Sequence, residues 1–201
     1  MRILNSVILQ TLLLTLGLSQ ISHATVIFVD YHTLPTQVVT SYDLLGVNVT
    51  TAGVGMLQIL NTGGIGVVGG TSQYTIDGAE SVRFTFDTGS ATGISFDDYY
   101  VVNQNPGLYL RPVASVTGYA VGGASLGTVS ILPFTVYPTT NVSALFGGVA
   151  LSGFSVSGNQ TGMQIYDLTY NGTLPTPEPS TFGPGILALV IGAAARRHAH
   201  A

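Results

Sequence analysis

Residues 81–88 read SVRFTFDT, and their alternation decides the fold class. Apolar side chains stand at Val82, Phe84 and Phe86, and polar side chains stand at Ser81, Arg83 and Thr85 between them. Successive side chains of a strand point to opposite faces, so this period of two predicts a strand with one buried and one exposed face. Half-buried strands of this kind are typical of antiparallel sheets.

Similar short runs lie on both sides of this stretch, separated by Gly, Asn, Asp and Pro, and no helical window of any length interrupts them. The further predicted strands are GVNVTTAG (46–53), MLQILN (56–61), SQYTI (72–76), GISFDDYYVV (93–102), GLYLRPV (107–113), SVTGYAV (115–121), GTVSILPFTVY (127–137), LFGGVALSGFSV (145–156) and GMQIYDLTY (162–170). About ten strands in this length favour an all-β fold, a single antiparallel β-sandwich of jelly-roll type.

Composition limits the partners of this domain. The chain contains no cysteine and no lysine, and between residues 25 and 176 only Arg83 and Arg111 oppose eight Asp and Glu side chains. No disulfide therefore staples the fold, whose stability must come from its core and any bound metal. Binding to nucleic acid depends on cations that neutralise phosphates, so the composition argues against nucleic acid and leaves cations and neutral polymers as partners.

The first 24 residues have the layout of a secretory signal peptide. Arg2 precedes an apolar run over residues 3–18, and Ser22 and Ala24 place small residues where a signal peptidase reads them. We expect cleavage after Ala24. An N-terminal membrane helix is the alternative, but polar residues interrupt the run, which falls short of the roughly 20 apolar residues of a span.

The C-terminal end divides into a linker and an apolar segment. Residues 173–181 are rich in proline and lack apolar periodicity, so they predict an extended linker. Residues 182–195 are apolar or small and precede Arg196 and Arg197, which favours a helix inserted in a bilayer with the arginines on the cytoplasmic side. The segment is short of about 20 residues, so it suits a transient anchor.

These elements resemble the PEP-CTERM sorting signal of Gram-negative bacteria that make extracellular polysaccharide. The matching residues are Pro177, Glu178 and Pro179, the apolar segment, and the pair Arg196 and Arg197. The resemblance implies transient retention in the inner membrane and processing by an exosortase, with the product at the cell surface or in the extracellular matrix. The tail family also carries the label of an ice-binding protein. The sequence shows no regular Thr array, so we do not predict ice binding.

Two motifs for enzyme chemistry lack the context that they need. Residues 64–69 match the dinucleotide pattern GxGxxG, but no helix follows to hold a pyrophosphate, and a glycine-rich hairpin is the better interpretation. His32 is the only histidine between residues 25 and 176, and no Gly-x-Ser-x-Gly elbow is present. No spacing singles out the carboxylate pair of a glycoside hydrolase. We therefore predict a non-enzymatic protein, with a glycan-active enzyme as a minor alternative.

Five carboxylates, two flanking a predicted turn at Gly78 and three in predicted strand stretches, suggest a calcium site that would stabilise the fold. Calcium prefers carboxylate and carbonyl oxygens, and the candidate ligands are Asp77, Glu80, Asp97, Asp98 and Asp167. Asp97 and Asp98 would point to opposite faces within a strand, so only a loop lets both of them bind one ion. The alternative is that these are solvated carboxylates without a metal.

Tyrosines suggest a carbohydrate-binding surface, because flat aromatic faces stack on sugar rings. The candidates are Tyr99, Tyr100, Tyr109, Tyr119 and Tyr166, although alternating tyrosines in strands also serve as packing residues. The sequence as a whole favours an exported structural or matrix protein associated with extracellular polysaccharide. Its alternative is a carbohydrate-binding module that calcium stabilises.

Overall fold

The structure, a computed structural model, describes residues 24–31, 33–61, 63–69, 74–78, 80–100, 114–131, 138–158 and 162–174. The predicted signal peptide up to residue 23, and the linker and tail from residue 175 onward, lie outside these residues. None of the helices within the described ranges is long and apolar enough to cross a membrane.

Most of the described residues form strands, and they also include one helix of a single turn. The strands are β1 (Thr25–Asp30), β2 (Gln37–Val39), β3 (Ser41–Leu44), β4 (Val47–Thr51), β5 (Met56–Leu60), β6 (Gly64–Val68), β7 (Ser81–Phe86), β8 (Thr92–Tyr100), β9 (Ala114–Ala120), β10 (Ser125–Ile131), β11 (Thr139–Asn141), β12 (Leu151–Gly158) and β13 (Met163–Gly172), and the helix is α1 (Val142–Leu145).

The described strands are arranged in two antiparallel sheets. The seven-stranded sheet has the order β11-β8-β13-β6-β5-β2, and β1 also pairs with β13. The six-stranded sheet has the order β10-β9-β12-β7-β4-β3. The last strand, β13, is central to its sheet because it pairs with β8, β6 and β1. The expectation of an antiparallel all-β fold is thus confirmed.

Aromatic side chains connect the buried faces of the two sheets. Phe154 stacks on Phe84 of the same sheet with 4.7 Å between ring centroids, and lies 5.9 Å from the ring of Phe96 in the other sheet. Phe86 contacts Tyr170 across the sheets at 4.9 Å. These rings belong to one continuous apolar cluster that includes residues from both sheets, and Val82, Phe84 and Phe86 are all members of it.

Most predicted strands are present, and two predictions need correction. The alternation in 81–88 is confirmed, since Val82, Phe84 and Phe86 are buried in β7. In the predicted strand 72–76, the described residues from Tyr74 form only an isolated bridge from Ile76 to Met163. Tyr74 has a positive φ of 86°, which breaks the extended conformation where the chain leaves one sheet for the other.

The predicted strand 145–156 is wrong in its first half. Asn141 caps α1 by accepting a hydrogen bond from the Ala144 amide at 2.9 Å, and Gly147 and Gly148 follow with positive φ. Local capping and turn geometry override the apolar content of this segment, and the strand begins at Leu151. Predicted strand 107–113 and residues 132–137 lie outside the described residues.

The glycine-rich stretch 64–69 opens a hairpin strand, as the sequence predicted. β5 and β6 pair antiparallel from Leu60 opposite Gly64 onward. Gly64 has a φ of +74°, and a Cβ there would lie 2.3 Å from the carbonyl oxygen of Ile165. A Cβ on Gly66 would lie 2.1 Å from the carbonyl oxygen of Tyr74. These glycines therefore permit close approach of neighbouring backbone rather than phosphate binding.

Candidate functional site

The outer face of the six-stranded sheet carries an ordered array of hydroxyl side chains. The inward residues of β7 and its neighbours are apolar, so the alternation places their polar residues outward. Strand register then aligns these residues in rows across the strands. One row runs Thr128, Thr117, Ser155, Arg83, Thr50, Ser41, and the next runs Ser130, Ser115, Ser157, Ser81.

We call these two rows the hydroxyl face. Neighbouring positions within a row are separated by the spacing between strands, about 4.8 Å. Thr117 and Thr128 share a hydrogen bond of 2.7 Å between their hydroxyl oxygens, and the Ser81 hydroxyl donates to the carbonyl oxygen of Ala52 at 2.7 Å. These bonds fix side chains at both ends of the array. Serine and threonine both donate and accept, so the face can satisfy a ligand that carries many hydroxyl groups.

Arg83 and Tyr119 stand at the centre of this sheet's outer surface. The Arg83 guanidinium carbon lies 4.1 Å from the centroid of the Tyr119 ring, in cation–π geometry. The Tyr119 hydroxyl lies 3.3 Å from the Ser155 hydroxyl oxygen on the strand between them. Ser155 is 6% exposed beneath these side chains. The cluster thus holds the guanidinium in a defined position above the sheet.

The two described tyrosine side chains that were candidates for sugar stacking, Tyr119 and Tyr166, lie on different sheets. One face of the Tyr119 ring is covered by Arg83, so this ring has at most one face for a sugar. Tyr166 lies at a bulge in β13, where the register shifts between Ile165 and Asp167, and is half-buried. Tyr109 and the side chains of Tyr99 and Tyr100 lie outside the described part of the chain.

Asp77 and Glu80, two of the predicted calcium ligands, form a reciprocal turn. Glu80 is 0% exposed, and its carboxylate accepts a hydrogen bond of 3.0 Å from the Asp77 amide. Its own amide donates to the Asp77 carbonyl oxygen at 2.8 Å. Asp77 Oδ1 is buried and accepts no hydrogen bond within the described structure. Glu80 therefore has a local structural role, closing the turn that leads into β7.

The other three predicted ligands lie in the seven-stranded sheet. Asp97 and Asp98 are both within β8, so they point to opposite faces: Asp97 is exposed and Asp98 is 1% exposed. They cannot bind the same ion together in this conformation. Asp167 is the cross-strand partner of both Asp97 and Asp30, which makes an outward row of three carboxylates that the sequence did not predict.

That row does not by itself make a metal centre. Among the described residues, no group of three or more His, Cys, Asp or Glu side chains is placed to hold a metal ion. The five predicted ligands thus fall into a turn, an outer row and a buried position. The residues present do not fit a single calcium ion bound by all of them.

A second acidic pair lies at the edge of the six-stranded sheet. Asp87 shares a side-chain hydrogen bond with Asp43, and partial desolvation together with this neighbour raises the pKa of Asp87. Asp43 and Asp87 also contribute to the raised pKa of Tyr170, about 12, for which burial is the main cause. Two carboxyl groups that share a hydrogen bond hold a proton more tightly than isolated ones.

Sequence reasoning missed the hydroxyl face because it is not local. Its residues come from six strands between positions 41 and 157, and only their register brings them together. The local signal was the serine or threonine at alternate positions of SVRFTF, SVTGYA and LSGFSVSG. No protein-family model matches the chain, and no curated protein matches it.

Proposed function

We propose that the chain is an exported, non-enzymatic structural protein of the extracellular matrix that contacts polysaccharide through the hydroxyl face. The observation that carries the proposal is the two-row array of Ser and Thr side chains on a broad sheet. A polysaccharide offers repeated hydroxyl groups along an extended chain. A sheet surface of donors and acceptors matches such a polymer over many weak contacts.

The domain suits export as a single unit. We take residues 25–172 to be one β-sandwich of jelly-roll type, supported by the ring contacts between the two sheets. β1 begins at Thr25, directly after the predicted cleavage position Ala24. β13 ends at Gly172, directly before the proline-rich linker, and Thr25 and Gly172 are cross-strand partners. Both flanking segments would leave the domain at the same end.

The tail provides the sorting step of the proposal. The motif Pro177, Glu178 and Pro179 begins five positions after Gly172, so an exosortase in the inner membrane would act close to the domain. The segment 182–195 and the arginines that follow would hold the chain in the membrane until cleavage. The processed domain would then reside at the cell surface or in the matrix.

The intact mass of the protein recovered from its own host tests this sorting. With the exosortase present, we expect loss of residues 1–24 and a new C-terminus between Pro177 and Thr181. Deletion of the exosortase gene should preserve the C-terminal residues. The same full-length C-terminus in both strains would overturn the sorting proposal.

A carbohydrate-binding module is the second candidate, favoured by the Arg83–Tyr119 cluster within the array. Its test is retention on a panel of immobilised polysaccharides. The double variant Thr50→Val and Thr117→Val removes two hydroxyls of the face with little change in shape. The variant Thr139→Val removes an exposed threonine of the other sheet and is the matched control. Retention lost in the first variant alone supports the face, and equal retention of all three proteins refutes it.

A further inference from the structure

We infer that Arg83 and Tyr119 form a binding site for a carboxylated sugar, such as a uronic acid residue of an acidic polysaccharide. The inference rests on the proposed contact with polysaccharide and specifies its ligand. It departs from the composition, which favours neutral polymers because the chain is acidic. Although the net charge of the chain is negative, the charge at the centre of this sheet's outer surface is positive, because Arg83 lies there.

Arg83 is the only Lys or Arg within the described residues. It lies on β7, and its row neighbours are Ser155 on one side and Thr50 on the other. Neither of these row neighbours carries a charge. Asp43, which also projects from this sheet, belongs to a different row and is two strands away through Asn48 and Thr85. Along its row, Arg83 is therefore flanked by hydroxyl side chains rather than by carboxylates.

Tyr119 gives the guanidinium its orientation. The guanidinium carbon lies over the Tyr119 ring, and a cation–π contact uses the face of the ring without using the N–H groups as hydrogen-bond donors, so they stay available to acceptors. The planar fork of arginine matches a planar carboxylate through two parallel hydrogen bonds. Thr50 lies beside Arg83 on the adjacent strand β4 and is half-buried, whereas Ser155 is covered by Arg83 and Tyr119. Thr50 is therefore placed to contact a ring hydroxyl of the same sugar.

The row that contains Arg83 runs across the strands, so a bound polymer would extend across them rather than along them. A polymer that extends across the strands meets Thr117 and Thr128 on one side of Arg83 and Thr50 and Ser41 on the other. Arg83 would select the charged residue, while the hydroxyls contact its neighbours without regard to charge. Specificity and general adhesion thus come from different side chains of the same face.

The test compares polygalacturonate with its methyl ester, which has the same backbone without the charge. We expect the full chain to bind polygalacturonate about tenfold more tightly than the ester, the effect of one charge-assisted contact. Arg83→Gln should abolish this preference while keeping binding to the ester. Arg83→Lys, which keeps the charge and loses the fork, should lose most of the preference. The preference should also weaken as salt increases.

Thr139→Asp is the control, because it changes the net charge by the same amount as Arg83→Gln but lies on the other sheet. It should keep the preference of the wild type. Equal binding of the two polymers by the wild type, or an unchanged preference in Arg83→Gln and Arg83→Lys, would overturn the inference. In that case ester binding that depends on Thr50 and Thr117 would leave the proposed function standing. Absence of binding to every polysaccharide would refute both.

Discussion

Two buried tyrosines should respond in opposite directions to loss of their hydroxyl groups. Tyr31 is 0% exposed, and its hydroxyl has no hydrogen-bond partner within the described structure. Tyr170 is equally buried, but its hydroxyl donates to the carbonyl oxygen of Leu45 in the turn between β3 and β4. The two rings contact neighbouring phenylalanines, Phe84 and Phe86, so their apolar surroundings are similar.

The expected magnitudes follow from the hydroxyl alone. An unpaired buried hydroxyl costs about 1–3 kcal/mol, so Tyr31→Phe should raise the free energy of unfolding by about 1 kcal/mol. Tyr170→Phe removes a hydrogen bond and leaves the Leu45 carbonyl without that donor, which should lower the free energy of unfolding by about 1–2 kcal/mol. Neither substitution changes the shape of the ring, so cavity effects should be small.

Urea unfolding at neutral pH measures both effects, with the slope of the transition unchanged between variants. Alkaline pH provides a second measurement, because burial raises the pKa of Tyr31 and raises that of Tyr170 to about 12. A raised folded-state pKa means that stability is present below the ordinary tyrosine value of 10.0 and is lost as pH rises through the folded value. Tyr31→Phe should therefore reduce the alkaline loss. A destabilisation of about 1 kcal/mol by Tyr31→Phe would instead show that its hydroxyl is hydrogen-bonded.

Three further perturbations test other parts of the molecule. Asp87→Asn should make the free energy of unfolding less dependent on pH. Because the pKa of Asp87 is raised, its contribution to stability is present below the ordinary value of 3.8 and is lost as pH rises through the folded value. Thermal melts at neutral pH should therefore show the variant to be more stable than the wild type. Thermal melts with calcium and with chelator test whether the acidic row that includes Asp97 and Asp167 binds calcium. A rise in Tm that depends on calcium concentration would support a calcium site, and identical melts would exclude one. Ser157→Thr should raise the free energy of unfolding by a few tenths of a kcal/mol, because β-branched residues favour strands, whereas an unchanged or lower value would contradict that reasoning.

The alternation of side chains predicted the fold class and many of the strands. It worked best for β7, where each buried residue is separated by one polar residue. It failed where a short-range hydrogen bond decided the conformation, as at Asn141, whose side chain caps α1. It also failed at Tyr74, whose positive φ occurs where the chain passes between the sheets. Apolar content gives no signal for either feature.

The candidate site was harder to predict than the fold. The sequence identified the tyrosines and carboxylates by residue type, and the structure disperses most of them. Asp97 and Asp98 were adjacent in sequence but lie on opposite faces of one strand. Residues that are distant in sequence, such as Ser81 and Ser157, are direct neighbours through strand register. Pairing between strands is set by the whole fold, so a single sequence did not indicate these neighbours.

The serines of the second row support a role for the surface beyond folding. Threonine carries the same hydroxyl group and is better suited to a strand, because a β-branched side chain packs well on the pleated surface. Four serines nevertheless occupy Ser130, Ser115, Ser157 and Ser81 in one row. Stability alone would favour threonine at these exposed and half-buried positions. Serine lacks the methyl group of threonine, so this row projects less from the sheet than a row of threonines would, which leaves more room for the proposed contact with a polymer.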